Sequence, residues 1–117
     1  TGPYVHYTYA RAASVLRRAG EKGGYGNYSP NADETALVSK LNEYPATLIK
    51  AAEDYEPSYI ARLALNVCTL YNQFYHNCRI IGVGGETESF RLALTEATRN
   101  VLGRCLDVLG MERTEEI

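Results

Sequence analysis

Two segments of this chain carry tyrosine and arginine side chains at intervals that bring them to one face of a helix. In the first segment the stripe consists of Tyr7, Arg11, Ser14 and Arg18. In the second it consists of Cys68, Asn72, Tyr75 and Arg79. An aromatic ring beside a guanidinium suits unpaired nucleotides, because the ring stacks on a base while the cation pairs with phosphate or stacks as well. The spacing therefore indicates a candidate surface for single-stranded RNA.

The same two stripes have a purely structural interpretation. Tyrosine at helical spacing is often a residue of the core edge whose hydroxyl reaches water. Arginine on the flank of a helix is usually just solvated. The stripes alone leave both interpretations open and favour the structural one.

Side chains typical of catalytic and metal sites are sparse. His6 and His76 are the two histidines, and the sequence has neither an HExxH motif nor a serine in a nucleophile elbow. The three cysteines form no CxxC pair. Cys68 and Cys78 would lie ~15 Å apart on one helix, which is too far for a disulfide. We expect no catalytic residue, no metal site and no cofactor in this chain, and cysteines that are reduced and buried, as in a cytosolic protein.

Length and composition exclude several other classes of protein. The 117 residues correspond to a single domain, 1–117, with 45% hydrophobic and 22% charged residues. No apolar run approaches the ~18 residues of a membrane span. The net charge of −2 excludes a uniformly basic coat, but the charge is unevenly distributed. Residues 1–20 have three arginines and no acid, and residues 57–106 have five arginines against three acids. These two basic segments can therefore attract phosphate despite the negative net charge.

Hydrophobic periodicity predicts an all-α fold, a bundle of about five helices. The predicted helices are residues 4–18, 33 to a break at Pro45, 46–55, 57–80 and 88–109. Asp33 is the expected N-cap of the second helix, Thr87 or Ser89 that of the fifth, and Gly110 the C-cap of the fifth. The core face predicted for the fourth helix consists of Ile60, Ala64, Val67, Tyr71, Phe74 and Cys78. The glycines of residues 82–85 lack a Gly-Lys-Ser/Thr ending and a preceding strand, which favours an interhelix connection over a phosphate-binding loop.

Five ordered segments resemble the C-terminal anticodon-binding domain of arginyl-tRNA synthetases. Residues 4–11 (YVHYTYAR) resemble the opening segment of that domain, and residues 56–62 and 72–80 resemble the start and end of its long helix. Residues 91–102 begin with the family's arginine-leucine-alanine-leucine motif, and residues 106–110 resemble the end of its final helix. The resemblance covers nearly the whole chain.

This resemblance implies a DALR-type helical bundle that recognises the anticodon stem-loop of tRNA. Tyrosines at the positions of Tyr7 and Tyr75 contact anticodon-loop nucleotides in the family, and a terminal methionine there corresponds to Ile117. We place the RNA across the first and fourth helices, with the arginines at phosphates. Arg91 and Arg99 have the alternative of pairing with acids on neighbouring helices. The predicted tRNA-binding residues are Tyr7, Arg11, Arg18, Asn72, Tyr75, Arg79 and Ile117.

The resemblance also implies a parent enzyme, an arginine–tRNA ligase that attaches arginine to its tRNA using ATP. The class I catalytic motifs are absent from the 117 residues, so we expect a C-terminal fragment without a catalytic site, whose last residues resemble a native C-terminus. The expected partners are tRNA and the catalytic domain of the same polypeptide, in a cytoplasmic monomer that binds no membrane. The alternatives are a helical protein-interaction domain or the equivalent domain of a cysteinyl- or methionyl-tRNA synthetase.

Overall fold

A computed structural model describes residues 2–21, 23–111 and 113. Within these residues the secondary structure is entirely helical. The helices, in chain order, are α1 (Gly2–Arg18), α2 (Ala32–Leu41), α3 (Tyr44–Glu53), α4 (Ser58–Asn77) and α5 (Gly85–Val108). The expectation of an all-α bundle is confirmed.

Helix α4 lies at the centre and packs against each of the other four helices. Its predicted core face is buried throughout: Ile60, Ala64, Val67, Tyr71, Phe74 and Cys78 are at most 5% exposed. Cys68, the first residue of the second stripe, is fully buried as well, which confirms the burial expected for this cysteine. Cys68 therefore lies beneath the exposed part of this stripe, because a helix surrounded by four others buries more of its circumference than one apolar face.

The structure moves the start of α2 and the end of α4. Asn31 rather than Asp33 is the N-cap of α2: its side chain accepts a hydrogen bond from the Glu34 backbone N–H at 2.9 Å. Glu34 completes a capping box, which satisfies two free N–H groups of the first turn. Helix α4 ends at Asn77 and not near residue 80, because Cys78 adopts an extended backbone.

The glycine-rich connection before α5 is held by a carboxylate of the chain itself. Gly84 is the N-cap of α5, so Thr87 and Ser89 lie inside the helix and not at its cap. The backbone N–H groups of Gly82 and Gly84 donate to Glu88 Oε1 at 2.9 and 3.0 Å. These two donors are the kind that would cradle a phosphate, and Glu88 occupies them. The geometry of residues 82–85 therefore supports an interhelix connection over a phosphate-binding loop.

A buried carboxylate joins the α1–α2 connection to α5. Glu34 is fully buried, and Tyr28 donates its hydroxyl proton toward both carboxylate oxygens at 2.8 Å. The Asn31 backbone N–H and Arg91 Nε also donate to Glu34, each at 2.8 Å. Arg91 thus pairs with an acid on a neighbouring helix, as one of the two alternatives predicted. Among the described residues, Arg99 does not follow that alternative, because the acid near it, at 3.9 Å, is Glu96 of its own helix. Burial by itself raises the pKa of Glu34, but the donated hydrogen bonds outweigh burial and lower it.

Candidate nucleic-acid interface

Four of the sequence-predicted site residues meet at the seam between α1 and α4. Arg11 Nη1 donates to Asn72 Oδ1 at 2.8 Å, and Arg11 Nη2 donates to the Tyr7 hydroxyl at 2.9 Å. The Arg11 guanidinium carbon also lies 4.2 Å from the centre of the Tyr75 ring and 4.9 Å from that of Tyr7. One cation therefore holds the two aromatic rings, each from a different helix, at fixed positions.

Asn72 is the hub of this cluster. While its Oδ1 accepts from Arg11, its Nδ2 donates to the Tyr4 hydroxyl at 3.2 Å and to Thr8 Oγ1 at 3.1 Å. The amide thus uses both of its ends, which fixes the register of α1 against α4. Tyr4 and Thr8 are members of the site that the sequence analysis missed. Tyr4 lies three residues before Tyr7 on the same helical face, and that spacing was a signal that could have found it.

The rings at this seam differ in how much surface they offer to a ligand. Tyr4 and Tyr7 are 39% and 42% exposed, which leaves ring area for a stacked base. Tyr75 is half-buried and is backed by the Tyr71 ring at 6.2 Å and the His76 ring at 5.7 Å. The Tyr75 ring is therefore fixed from behind and from the side, and it can stack without first being ordered.

The two remaining described arginines of the predicted site border an adjoining cleft. This cleft of about 280 Å³ lies between the ends of α1 and α4. The exposed residues Arg18 and Arg79 line this cleft together with Tyr75. Tyr75 thus belongs to both the ring cluster and the cleft, which together form one continuous surface. We call this surface, made of Tyr4, Tyr7, Arg11, Arg18, Asn72, Tyr75 and Arg79, the α1–α4 face.

Two buried thiols, Cys68 and Cys105, and the buried phenol of Tyr71 are unsuited to covalent chemistry. Burial raises the pKa of Cys68 to about 11, although the Thr8 hydroxyl opposes the shift. Burial likewise raises the pKa of Cys105 to about 12 and that of Tyr71 to about 12. Protonated thiols are poor nucleophiles and poor metal ligands. The described residues contain no group of three or more His, Cys, Asp or Glu side chains that could hold a metal ion.

The last predicted contact, Ile117, lies outside the described residues. Arg113, the last residue that the structure describes, is anchored on α5. Arg113 pairs with both carboxylate oxygens of Asp107, through Nε at 3.1 Å and Nη2 at 2.7 Å. The absence of a side chain at Gly103 makes room for this guanidinium, since a Cβ there would lie 2.7 Å from Arg113 Cζ.

A larger groove between α3 and α4, of about 570 Å³, has a different character. Its Lys50 pairs with Asp54 at 3.1 Å, and the hydroxyl of its Tyr59 donates to the same carboxylate at 2.9 Å. The hydrogen bond and charge of Lys50 lower the pKa of Asp54, so the cation and the acid compensate one another. The α1–α4 face, where arginines stand beside open rings, suits an anion with stacking bases better. Among the helices that the structure describes, none combines the length and the hydropathy that a membrane span requires.

The sequence matches both a protein-family profile and individual proteins of known name. The sequence profile of the DALR anticodon binding domain matches residues 5–117. Arginine–tRNA ligases of Lactobacillus johnsonii and of Streptococcus pneumoniae (strain Hungary19A-6) are each 42% identical over 100% of this chain. The chain spans only 21% of the length of each.

Solved structures have the same fold. Arginyl-tRNA synthetase of Thermus thermophilus superposes with a TM-score of 0.89 and 32% identity, covering 100% of this chain and 21% of its own. A putative arginyl-tRNA synthetase of Campylobacter jejuni superposes with a TM-score of 0.82 over 97% of this chain and 26% of its own. At 21% identity, that second likeness concerns the fold alone.

Proposed function

The chain belongs to the DALR anticodon-binding domain family, and from that premise we propose that it binds the anticodon stem-loop of an arginine tRNA as part of an arginine–tRNA ligase. The observation that carries this proposal is the Arg11 guanidinium between the rings of Tyr7 and Tyr75. Anticodon loops present unpaired bases, which proteins recognise by stacking on aromatic side chains. The α1–α4 face offers such rings in a fixed arrangement.

The two parts of the α1–α4 face have different tasks in this proposal. Tyr7 and Tyr75 stack on bases of the anticodon loop, each for roughly 1–3 kcal/mol. Arg18 and Arg79, exposed at the cleft, pair with phosphates. Arg11 acts through the rings, because its two hydrogen bonds and two ring contacts hold them where they are needed.

The chemistry of the ligase belongs elsewhere in the polypeptide. Arginine, ATP and the aminoacylation step are assigned to a catalytic domain outside these 117 residues, and anticodon binding orients the tRNA toward it. We further propose that the protein is cytoplasmic and monomeric, and that Ile117 makes an apolar contact with the loop. The names of the similar ligases support an arginyl enzyme over a cysteinyl or methionyl one.

Tyr75→Ala tests the stacking role directly. A fluorescent anticodon stem-loop of an arginine tRNA is titrated with the wild-type chain and the variant at two salt concentrations. Losing one stacked base at roughly 1–3 kcal/mol predicts about 5- to 150-fold weaker binding. The matched control is Tyr55→Ala, because Tyr55 is 92% exposed and precedes α4, about 25 Å along that helix from Tyr75.

The control variant tests the stacking role, and the measurement at low salt tests whether the chain binds RNA at all. Tyr55→Ala is expected to bind within about twofold of wild type. Equal affinities for the two variants would contradict the stacking role. Failure of the wild-type chain to bind any stem-loop at low salt, while it retains a protein partner, would favour a helical protein-interaction domain instead.

A further inference from the structure

Arg79 is an exposed cation held by contacts from its own loop. It follows the last turn of α4, and its Nε donates to the Ile81 carbonyl at 3.2 Å. Its guanidinium lies directly on Gly82, where a Cβ would stand 2.7 Å from Nη2 and 3.3 Å from Cζ. Such separations are shorter than van der Waals contact. Any side chain at Gly82 would therefore displace the guanidinium.

The backbone of Arg79 is held from a second direction. Arg91 of α5 donates its Nη1 proton to the Arg79 carbonyl at 2.7 Å, while its Nε bonds to Glu34 at 2.8 Å. The side chain of Arg91 is 12% exposed and that of Glu34 is fully buried. One guanidinium thus joins the end of α4 to a rigid point in the core. A planar group with donors in a fixed fork makes both bonds at once.

We propose that Gly82 and Arg91 are positioning residues for Arg79. They hold its guanidinium at the cleft of the α1–α4 face, where it binds a phosphate of the anticodon stem-loop. This proposal rests on the function proposed above. Gly82 leaves the space in which the guanidinium lies, and Arg91 holds the backbone from which it extends. A long, exposed arginine otherwise loses rotamer freedom when it binds, so a cation held in place binds phosphate more strongly.

Gly82→Ala and Gly84→Ala form a matched pair for this proposal. Both glycines have positive φ values, 91° and 83°, and both donate to Glu88 Oε1. Alanine is therefore strained at either position. A Cβ at Gly84 meets nothing within 4 Å, whereas a Cβ at Gly82 meets the Arg79 guanidinium. A difference between the two variants consequently reports on Arg79.

The measurement is the salt dependence of binding to the arginine-tRNA anticodon stem-loop. Arg79→Ala is expected to reduce the slope of log K against log salt by roughly 0.7–0.9, the value of one phosphate contact. Gly82→Ala should reduce the slope by a similar amount, and Gly84→Ala should leave it unchanged. Adding Gly82→Ala to Arg79→Ala should weaken binding no further, because both changes remove the same contact.

Arg91→Lys is a second perturbation that leaves the glycine loop intact. An ammonium lacks the fork that reaches Glu34 and the Arg79 carbonyl together. The slope of log K against log salt should therefore fall, although Arg91 itself pairs with Glu34 and not with the RNA. A purely structural role would lower the melting temperature and leave the slope unchanged. The proposal is overturned if Arg79→Ala lowers the slope while Gly82→Ala and Arg91→Lys keep the wild-type value. An unchanged slope in Arg79→Ala would instead contradict the phosphate contact assigned to Arg79 in the proposed function.

Discussion

Replacing Glu34 with glutamine tests the buried network that ties the α1–α2 connection to α5. The carboxylate is fully buried and accepts hydrogen bonds from Tyr28, Asn31 and Arg91, all at 2.8 Å. Glutamine has nearly the same shape, but it carries no charge and one of its oxygens becomes an NH₂ donor. The variant therefore leaves the Arg91 cation without its counter-charge and sets two donors against each other.

The size of the effect follows from the burial of the pair. Removing one partner of a buried ion pair costs about 3–5 kcal/mol, and the 12% exposure of the Arg91 side chain favours the lower end. At ~2.1 cal/mol/K per residue, unfolding of 117 residues carries an entropy of roughly 0.25 kcal/mol/K. A loss of about 3 kcal/mol therefore lowers Tm by about 12 °C.

The pH dependence of the same variant gives a second, independent readout. Burial raises the pKa of Glu34, but the hydrogen bonds outweigh burial and the pKa falls below its ordinary value of 4.5. A carboxyl with a lowered folded-state pKa adds stability above pH 4.5 that is lost as the pH falls through the folded-state value. Glutamine does not titrate, so the Tm values of wild type and variant should converge between pH 7 and pH 3.

Thermal unfolding followed by circular dichroism measures both effects. Glu43→Gln is the matched control, because Glu43 is 52% exposed and pairs with Lys40 at 3.1 Å on the surface. Its loss is expected to stay below about 1 kcal/mol, or about 4 °C. An equal Tm loss in the two variants would refute the stabilising role of the buried pair. A Tm difference that stays constant from pH 7 to pH 3 would refute its ionic origin.

Two further predictions concern the core. Phe74 is fully buried, so Phe74→Ala should lower the free energy of unfolding, measured in urea, by about 3–5 kcal/mol. Ile49 is 60% exposed, so Ile49→Ala should lower it by less than about 1 kcal/mol. Similar losses in the two variants would contradict the assigned core. Because the pKa of Cys68 is raised to about 11 and that of Cys105 to about 12, iodoacetamide at pH 8 should modify both only after denaturation. Mass spectrometry would locate the label, and rapid modification of either thiol in the folded chain would contradict their burial.

The helical elements were largely predictable because helical periodicity is a local property. The core face of α4 was found in the order of its residues, since each member lies three or four positions from the next. The stripe of Tyr7 and Arg11 was found by the same rule, and the two side chains do contact each other. The capping errors at Asp33 and Thr87 have a local cause too, since several neighbouring polar residues satisfy the same rule and only backbone geometry selects one.

Contacts between distant segments were not predictable from spacing. Arg11 and Asn72 are 61 positions apart, and Tyr4 and Asn72 are 68 apart. Nothing in either helix alone indicates that Asn72 bonds to three side chains of the other. The residue type of Cys68 predicted its burial, but the spacing along α4 did not, because burial on that side depends on the number of helices around α4.

By itself the sequence determined that the chain is helical, which faces are apolar and which tyrosines and arginines share a helical face. These properties follow from propensities and from the 3.6-residue period, which act over one or two turns. Only the tertiary structure decided that α1 and α4 lie side by side, so that one arginine lies between two tyrosine rings. It likewise decided that Arg91 reaches from α5 to the backbone of Arg79. Such placements depend on packing between helices, which satisfies donors and fills space across the whole core at once.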